Sequence, residues 1–136
     1  LLAGRRVLVV EDGPTVTHGG MAYGAGLVAA RRYGLDRLVD PRGCAVGSIR
    51  DTLDTFDQLL EVLPAMGSSD RQRAELKESI EKSGAEVVLN ASPADIASLL
   101  ELAIPVVQVR YRFVPREGED IMARVRALLA GAPVDR

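Results

Sequence analysis

The chain has 136 residues, 47% of them apolar and 26% charged, with a formal net charge of −2. That length suits one domain around one core, and the even spread of both signs excludes the basic face that nucleic-acid binding requires. No apolar run approaches the ~18 residues that span a bilayer, arginines interrupt any signal-peptide order at the N-terminus, and a lone cysteine, Cys44, rules out an internal disulfide and fits a reducing cytoplasm.

Five β-rich runs alternate with helical patterns. Residues 5–11 (RRVLVVE) are continuous and β-branched, as in a strand covered on both faces. Residues 22–34 read as a helix closed by Gly34, and 37–40 (RLVD) as a second strand ended by the turn Pro41-Arg42-Gly43. A helix is expected over 47–59 with Ser48 as its cap, and a short strand over 60–67. The charged stretch 70–83 reads as an exposed helix, 85–92 as the fourth strand, and Pro93 opens a helix through Leu100. A fifth strand over 104–113 and a helix over 119–131 complete the pattern. Strict β–α alternation predicts an α/β, three-layer, Rossmann-like domain: a mostly parallel sheet of about five strands flanked by helices. Ligands of such sheets bind beyond the carboxyl ends of the strands, which singles out loops 11–23, 40–48, 64–69 and 90–93.

The first of these loops is the richest. Glu11 and Asp12 end the first strand, where an acid can hold magnesium or a ribose hydroxyl, although Asp12-Gly13-Pro14 also reads as a plain turn. His18, the only histidine, is flanked by Thr17 and by Gly19-Gly20, with Thr15 close by. In a loop it can serve as acid, base, phosphate contact or metal ligand. Glu11, Asp12 and His18 are the catalytic candidates. Gly24 to Ala29 fits a dinucleotide fingerprint, but about a dozen residues separate it from the strand, so the motif is weak. A phosphate at the start of the following helix is the better reading, with close helix–sheet packing as the plain explanation of Gly24 and Gly26. Arg42, Ser48 and Arg50 offer two guanidinium forks and a hydroxyl from the next loop. Thr15, Thr17, Gly19, Gly20, Gly24, Gly26, Arg42, Ser48 and Arg50 are therefore the candidate phosphate- and substrate-binding set. No lysine follows a glycine, so a Walker A loop is absent, and Cys44 lacks the companions of a zinc site; no metal ligands are assigned.

The strings "RRVLVVEDGPTVTHGGMAYGAGLVAARRYG", "VDPRGCAVGSIRDT" and "VLPAMG" together resemble the C-terminal part of the cyclic 2,3-diphosphoglycerate synthetase family, whose members are also described as predicted GTPases. The resemblance runs from about Gly4 to Tyr111 and is densest at 7–30 and 39–67. It implies a ligase in which ATP or GTP with Mg2+ activates a phosphate of the substrate and a neighbouring phosphate closes a cyclic anhydride. The family's P-loop lies in a preceding domain. The expected partners are thus a phosphorylated small molecule and an upstream P-loop domain that binds most of the nucleotide, with a homodimer left open. On this reading residues 1–136 are the C-terminal domain of a longer enzyme, inactive alone. A non-catalytic α/β module that binds a nucleotide or phosphorylated metabolite needs the same loops and stands as the alternative.

Overall fold

A computed structural model describes residues 2–112, 114 and 120–131. The chain forms four parallel strands, β1 (Val7–Asp12), β2 (Leu63–Ala65), β3 (Val87–Asn90) and β4 (Val106–Gln108), in the order β2-β1-β3-β4. Among the described residues six α-helices connect or follow them: α1 (Gly13–Thr17), α2 (Ala25–Arg32), α3 (Gly47–Thr55), α4 (Asp70–Lys82), α5 (Ile96–Leu100) and α6 (Ile121–Leu129).

The sheet is parallel and flanked by helices, as the alternation predicts, but it has four strands where five were expected. The run 37–40 makes only a single bridge, Leu38 to Val7. It lies on the same edge of β1 as β2, which takes over the pairing from Val10 to Asp12. The edge is shared, so neither partner extends along all of β1.

Val7, Leu8, Val9 and Val10 have no exposed surface, which explains the unbroken apolar run: β1 is central and covered on both sides. Side chains alternate along it. Val9 and Glu11 face α2, where a Cβ on Gly26 would lie 2.8 Å from Val9 Cγ1 and 3.0 Å from Ala91 Cβ. Asp12 faces the other way, toward α4 and α5. The first face carries α2 over β1 and β3; the second carries α3, α4 and α5, with α3 packed on α4. The last helix, α6, buries none of its residues. Position 113 of the expected fifth strand and position 119 of the expected last helix lie outside the described residues.

Candidate functional site

The strand order reverses between β1 and β3, where connections leave for opposite faces of the sheet. Ligands of parallel sheets settle at such a point. Here a cleft of about 170 Å³ opens beyond the strand ends, lined by Asp12 from β1, Ala65, Met66 and Gly67 after β2, and Ser92 after β3, with Arg73 of α4 on its wall. The arginine stem lies beside Gly67, where a Cβ would sit in ordinary contact, 3.7 Å from Arg73 Cγ. The guanidinium is half-exposed and, among the described residues, pairs with Asp70 through one nitrogen at 3.3 Å. Asp12 uses a single oxygen, Oδ2, to accept from Thr15 N at 3.2 Å and Thr15 Oγ1 at 2.7 Å; Oδ1 has no hydrogen-bond partner among the described residues. One free carboxylate oxygen and one partly free guanidinium fork thus border the same small cleft.

The loop 11–23 is more ordered than a ligand loop. Asp12 caps α1, and Pro14 sits in its first turn. The helix projects His18 outward as its last cap, with Nδ1 3.3 Å from Thr17 Oγ1. Thr17 donates back to the Gly13 carbonyl at 2.8 Å. Gly20 adopts a left-handed φ of +63°, and Gly19 and Gly20 stay exposed. None of His18, Thr17, Gly19 or Gly20 lines the cleft.

The acidic pair is split by the strand's two-residue period. Glu11, 2% exposed, points away from Asp12 and accepts from Gly24 N at 3.0 Å and Leu27 N at 2.9 Å through Oε1. These are the α2 amides that the sequence reading reserved for a phosphate; in the structure a carboxylate of the chain itself holds them. Gly24 and Gly26 serve that arrangement, because a Cβ on Gly24 would reach 2.6 Å from Glu11 Oε2.

The loop 40–48 repeats the pattern. Glu75 of α4 accepts from Ser48 N at 2.9 Å and also from Ser48 Oγ, so it closes the start of α3. Its approach needs Gly47, whose φ is +51° and whose missing side chain leaves the space Glu75 fills. The Ser48 hydroxyl, then Arg71 and the Ser48 amide, pull the Glu75 carboxyl down to about 2. Arg42 donates to three carbonyls ahead of β2, those of Leu59 at 2.8 Å and of Leu53 and Asp57 at 3.3 Å. Arg50 Nε donates to the Ala45 carbonyl at 3.0 Å. Neither arginine lines the cleft; each guanidinium donates to backbone carbonyls instead. The Cys44 thiol is buried and raised, first by desolvation and then by Asp40, as suits a packing residue.

Every described α-helix therefore begins on an acceptor from the chain's own side chains. Asp12, Glu11, Glu75, Ser69, Asp95 and Asp120 serve α1 to α6 in turn. Each of these acceptors takes up part of a helix start's free amides, and the cleft adds side-chain charge from Asp12 and Arg73. The cleft itself measures about 170 Å³. Among the described residues no group of three His, Cys, Asp or Glu is placed to hold a metal ion, and no helix is long and apolar enough to cross a membrane.

Of the twelve residues singled out from sequence, only Asp12 lines the cleft. Ser92 belongs to loop 90–93, which the sequence singles out without naming the residue, and Arg73 lies outside all four loops. Arg73 sits in a helix whose alternating charges read as a solvated face, and nothing local shows which turn meets the strand ends. The glycine loop ahead of it, 64–69, was the available signal.

A parallel α/β sheet with a charged cleft at its switch point defines the architecture, and the comparisons narrow it. The chain is similar to the arginine synthetase ArcE of Thermococcus kodakarensis, with 50% identity over 111 residues, which is 82% of this chain. It spans only 25% of that relative's length. No family profile matches the chain, and no solved structure matches it.

Proposed function

We propose that this chain is the substrate-binding α/β domain of a nucleotide-dependent synthetase, with ATP or GTP and Mg2+ held by a P-loop domain elsewhere in the polypeptide. The observation that carries it is the identity of half the aligned residues to a synthetase over most of the chain. The chain's own residues fit a share of that work. Arg73 offers a fork for an anionic group, and Asp12 Oδ1 accepts a proton-bearing one. No step on the nucleotide is assigned to them.

Two substrate classes follow. A phosphorylated small molecule, as in cyclic 2,3-diphosphoglycerate synthesis, would use Arg73 alone and be repelled by Asp12. An amino acid carries an ammonium and a carboxylate and would use both residues. The opposite charges on one cleft, and the relative's name, favour the amino acid.

Thermal-shift titration of the chain with L-arginine and with 2,3-diphosphoglycerate separates them. The expected result is stabilisation by L-arginine, lost in both Arg73→Ala and Asp12→Asn. Stabilisation by the diphosphate that survives Asp12→Asn favours the phosphorylated substrate. ATP turnover by these 136 residues alone refutes the division of labour between domains.

A further inference from the structure

The cleft beyond the strand ends is chemically one-sided. Among the described residues its polar side chains are Asp12 and Ser92, which follow from β1 and β3, and Arg73 of α4. Ser92 is only 2% exposed, so it shows the cleft what its own hydrogen bonds leave free. It has two donors, and both are spent on one oxygen. Ser92 N donates to Asn90 Oδ1 at 3.0 Å, and Ser92 Oγ donates to the same atom at 2.8 Å. A hydroxyl has one proton and two lone pairs, so Ser92 is left with acceptors alone.

Asn90 cannot be turned round to reverse this. Its Nδ2 donates to the Ala94 carbonyl and to Gln108 Oε1, each at 2.8 Å. A flipped amide would set Nδ2 against the Ser92 N–H and its oxygen against the Ala94 carbonyl. Asn90 has no exposed surface, so bulk water relieves neither clash. Pro93, next on the cleft wall, has no N–H to offer. Asp12 Oδ1, on the β1 side, is also an acceptor without a partner among the described residues.

We infer that Ser92, held by Asn90, is a specificity-determining acceptor: with Asp12 Oδ1 it takes the α-ammonium of an amino acid, while the Arg73 fork takes the carboxylate from the α4 side. This rests on the amino-acid reading above and adds to it a second acceptor and an orientation. An ammonium carries three protons and no lone pair, so two fixed acceptors on one side of the cleft match it. A phosphate or carboxylate turned to that side meets only lone pairs. Asn90 does not line the cleft and acts through Ser92, as a positioning residue.

Calorimetric titration of the chain with L-arginine and with 5-guanidinopentanoate, the same molecule without its α-ammonium, provides the test. Ser92→Ala is expected to weaken L-arginine about tenfold, the scale of one hydrogen bond to a charged group, and to move the analogue by less than about twofold. Asn90→Ala keeps the serine but frees its protons, and is expected to lose the same preference for L-arginine. Equal losses on both ligands, or none on either, overturn the role of Ser92 and leave the amino-acid reading in place. Failure of the wild type to bind L-arginine removes that reading, and the role of Ser92 with it. A crystal structure of the wild type with L-arginine needs no variant to fold. It is expected to place the ammonium within about 3.2 Å of a Ser92 oxygen, with both Ser92 donors still on Asn90 Oδ1. Any other ligand group in that place overturns the orientation, and a Ser92 hydroxyl turned away from Asn90 overturns the positioning.

Discussion

The starts of α2 and α3 meet one need with one group, in two settings. Both present unpaired amides toward the sheet's carboxyl edge, and both are closed by a glutamate from another element. At α2 the glutamate is Glu11, buried from water, with backbone amides as its partners among the described residues. At α3 it is Glu75, whose side chain is 14% exposed, shared between the Ser48 amide, the Ser48 hydroxyl and Arg71. A buried carboxylate without a cation depends wholly on its hydrogen bonds, and removing it strands the amides. A glutamate at the surface has water and a neighbour to fall back on. The first glutamate therefore serves the core and the second the pH response.

The largest expected loss of stability is at Glu11. Glu11→Ala leaves Gly24 N and Leu27 N without their acceptor and is expected to cost about 3 kcal/mol in urea unfolding, since hydrogen bonds to charged groups contribute about 1.5–3 kcal/mol each and their loss is not additive. Glu11→Gln keeps an acceptor and should recover most of it. If Glu11→Gln instead preserves stability while turnover of the full-length polypeptide collapses, the carboxylate is chemical and the comparison fails.

Next comes Gly26, which lets α2 approach Glu11. Gly26→Ala drives a methyl against Val9 and Ala91 and is expected to cost about 1–3 kcal/mol by overpacking. A neutral result would show that α2 can shift, and that Glu11 tolerates a looser cap.

Glu75 supplies a smaller, pH-dependent effect. Its carboxyl is held at about 2 against an ordinary 4.5, so the stability it contributes is complete above about 4.5 and is lost as pH falls toward 2. Glu75→Gln should flatten that part of the stability curve, with wild type and variant converging at the acid end. Identical slopes between pH 5 and 2 would assign the acid response to other carboxylates, such as Asp95, which Ser98 also holds low.

The smallest expected change in stability is at His18. The side chain is exposed, so His18→Ala should move unfolding by less than about 0.5 kcal/mol. Its effect on turnover in the full-length polypeptide is a separate readout: a ~100- to 10,000-fold fall marks an acid–base role, and no fall marks a bystander.

Much of the fold was legible because β1 and β3 are buried on both faces and their apolar runs are uninterrupted. The boundaries of α4 were nearly correct for a similar reason, since Ser69 caps it and Leu76 and Ile80 keep helical spacing. Shorter elements were not legible. Helix α1 was taken for loop because Asp12-Gly13-Pro14 suits a turn as well as a capped first turn. The helix expected over 47–59 stops at Thr55, and Leu59 is buried in the segment after it. The site was less legible than the fold. Glu11 finds its partners 13 and 16 residues away, and Ser48 finds Glu75 at a distance of 27. A loop rich in donors looks the same in sequence whether a ligand or another part of the chain accepts from them.

The side chains beyond β3 and β4 form a closed circuit. Asn90 Nδ2 donates to Gln108 Oε1 at 2.8 Å, Gln108 Nε2 donates to the Ser92 carbonyl at 2.9 Å, and Ser92 Oγ donates to Asn90 Oδ1 at 2.8 Å. The amide at position 108 accepts from one partner while donating to the other. If β4 slipped by two residues, either Val106 or Arg110 would stand opposite Asn90, and neither can do both. The circuit works as a checksum on the edge strand: a misregistered pairing leaves Asn90, which has no exposed surface, with unmet hydrogen bonds and is rejected.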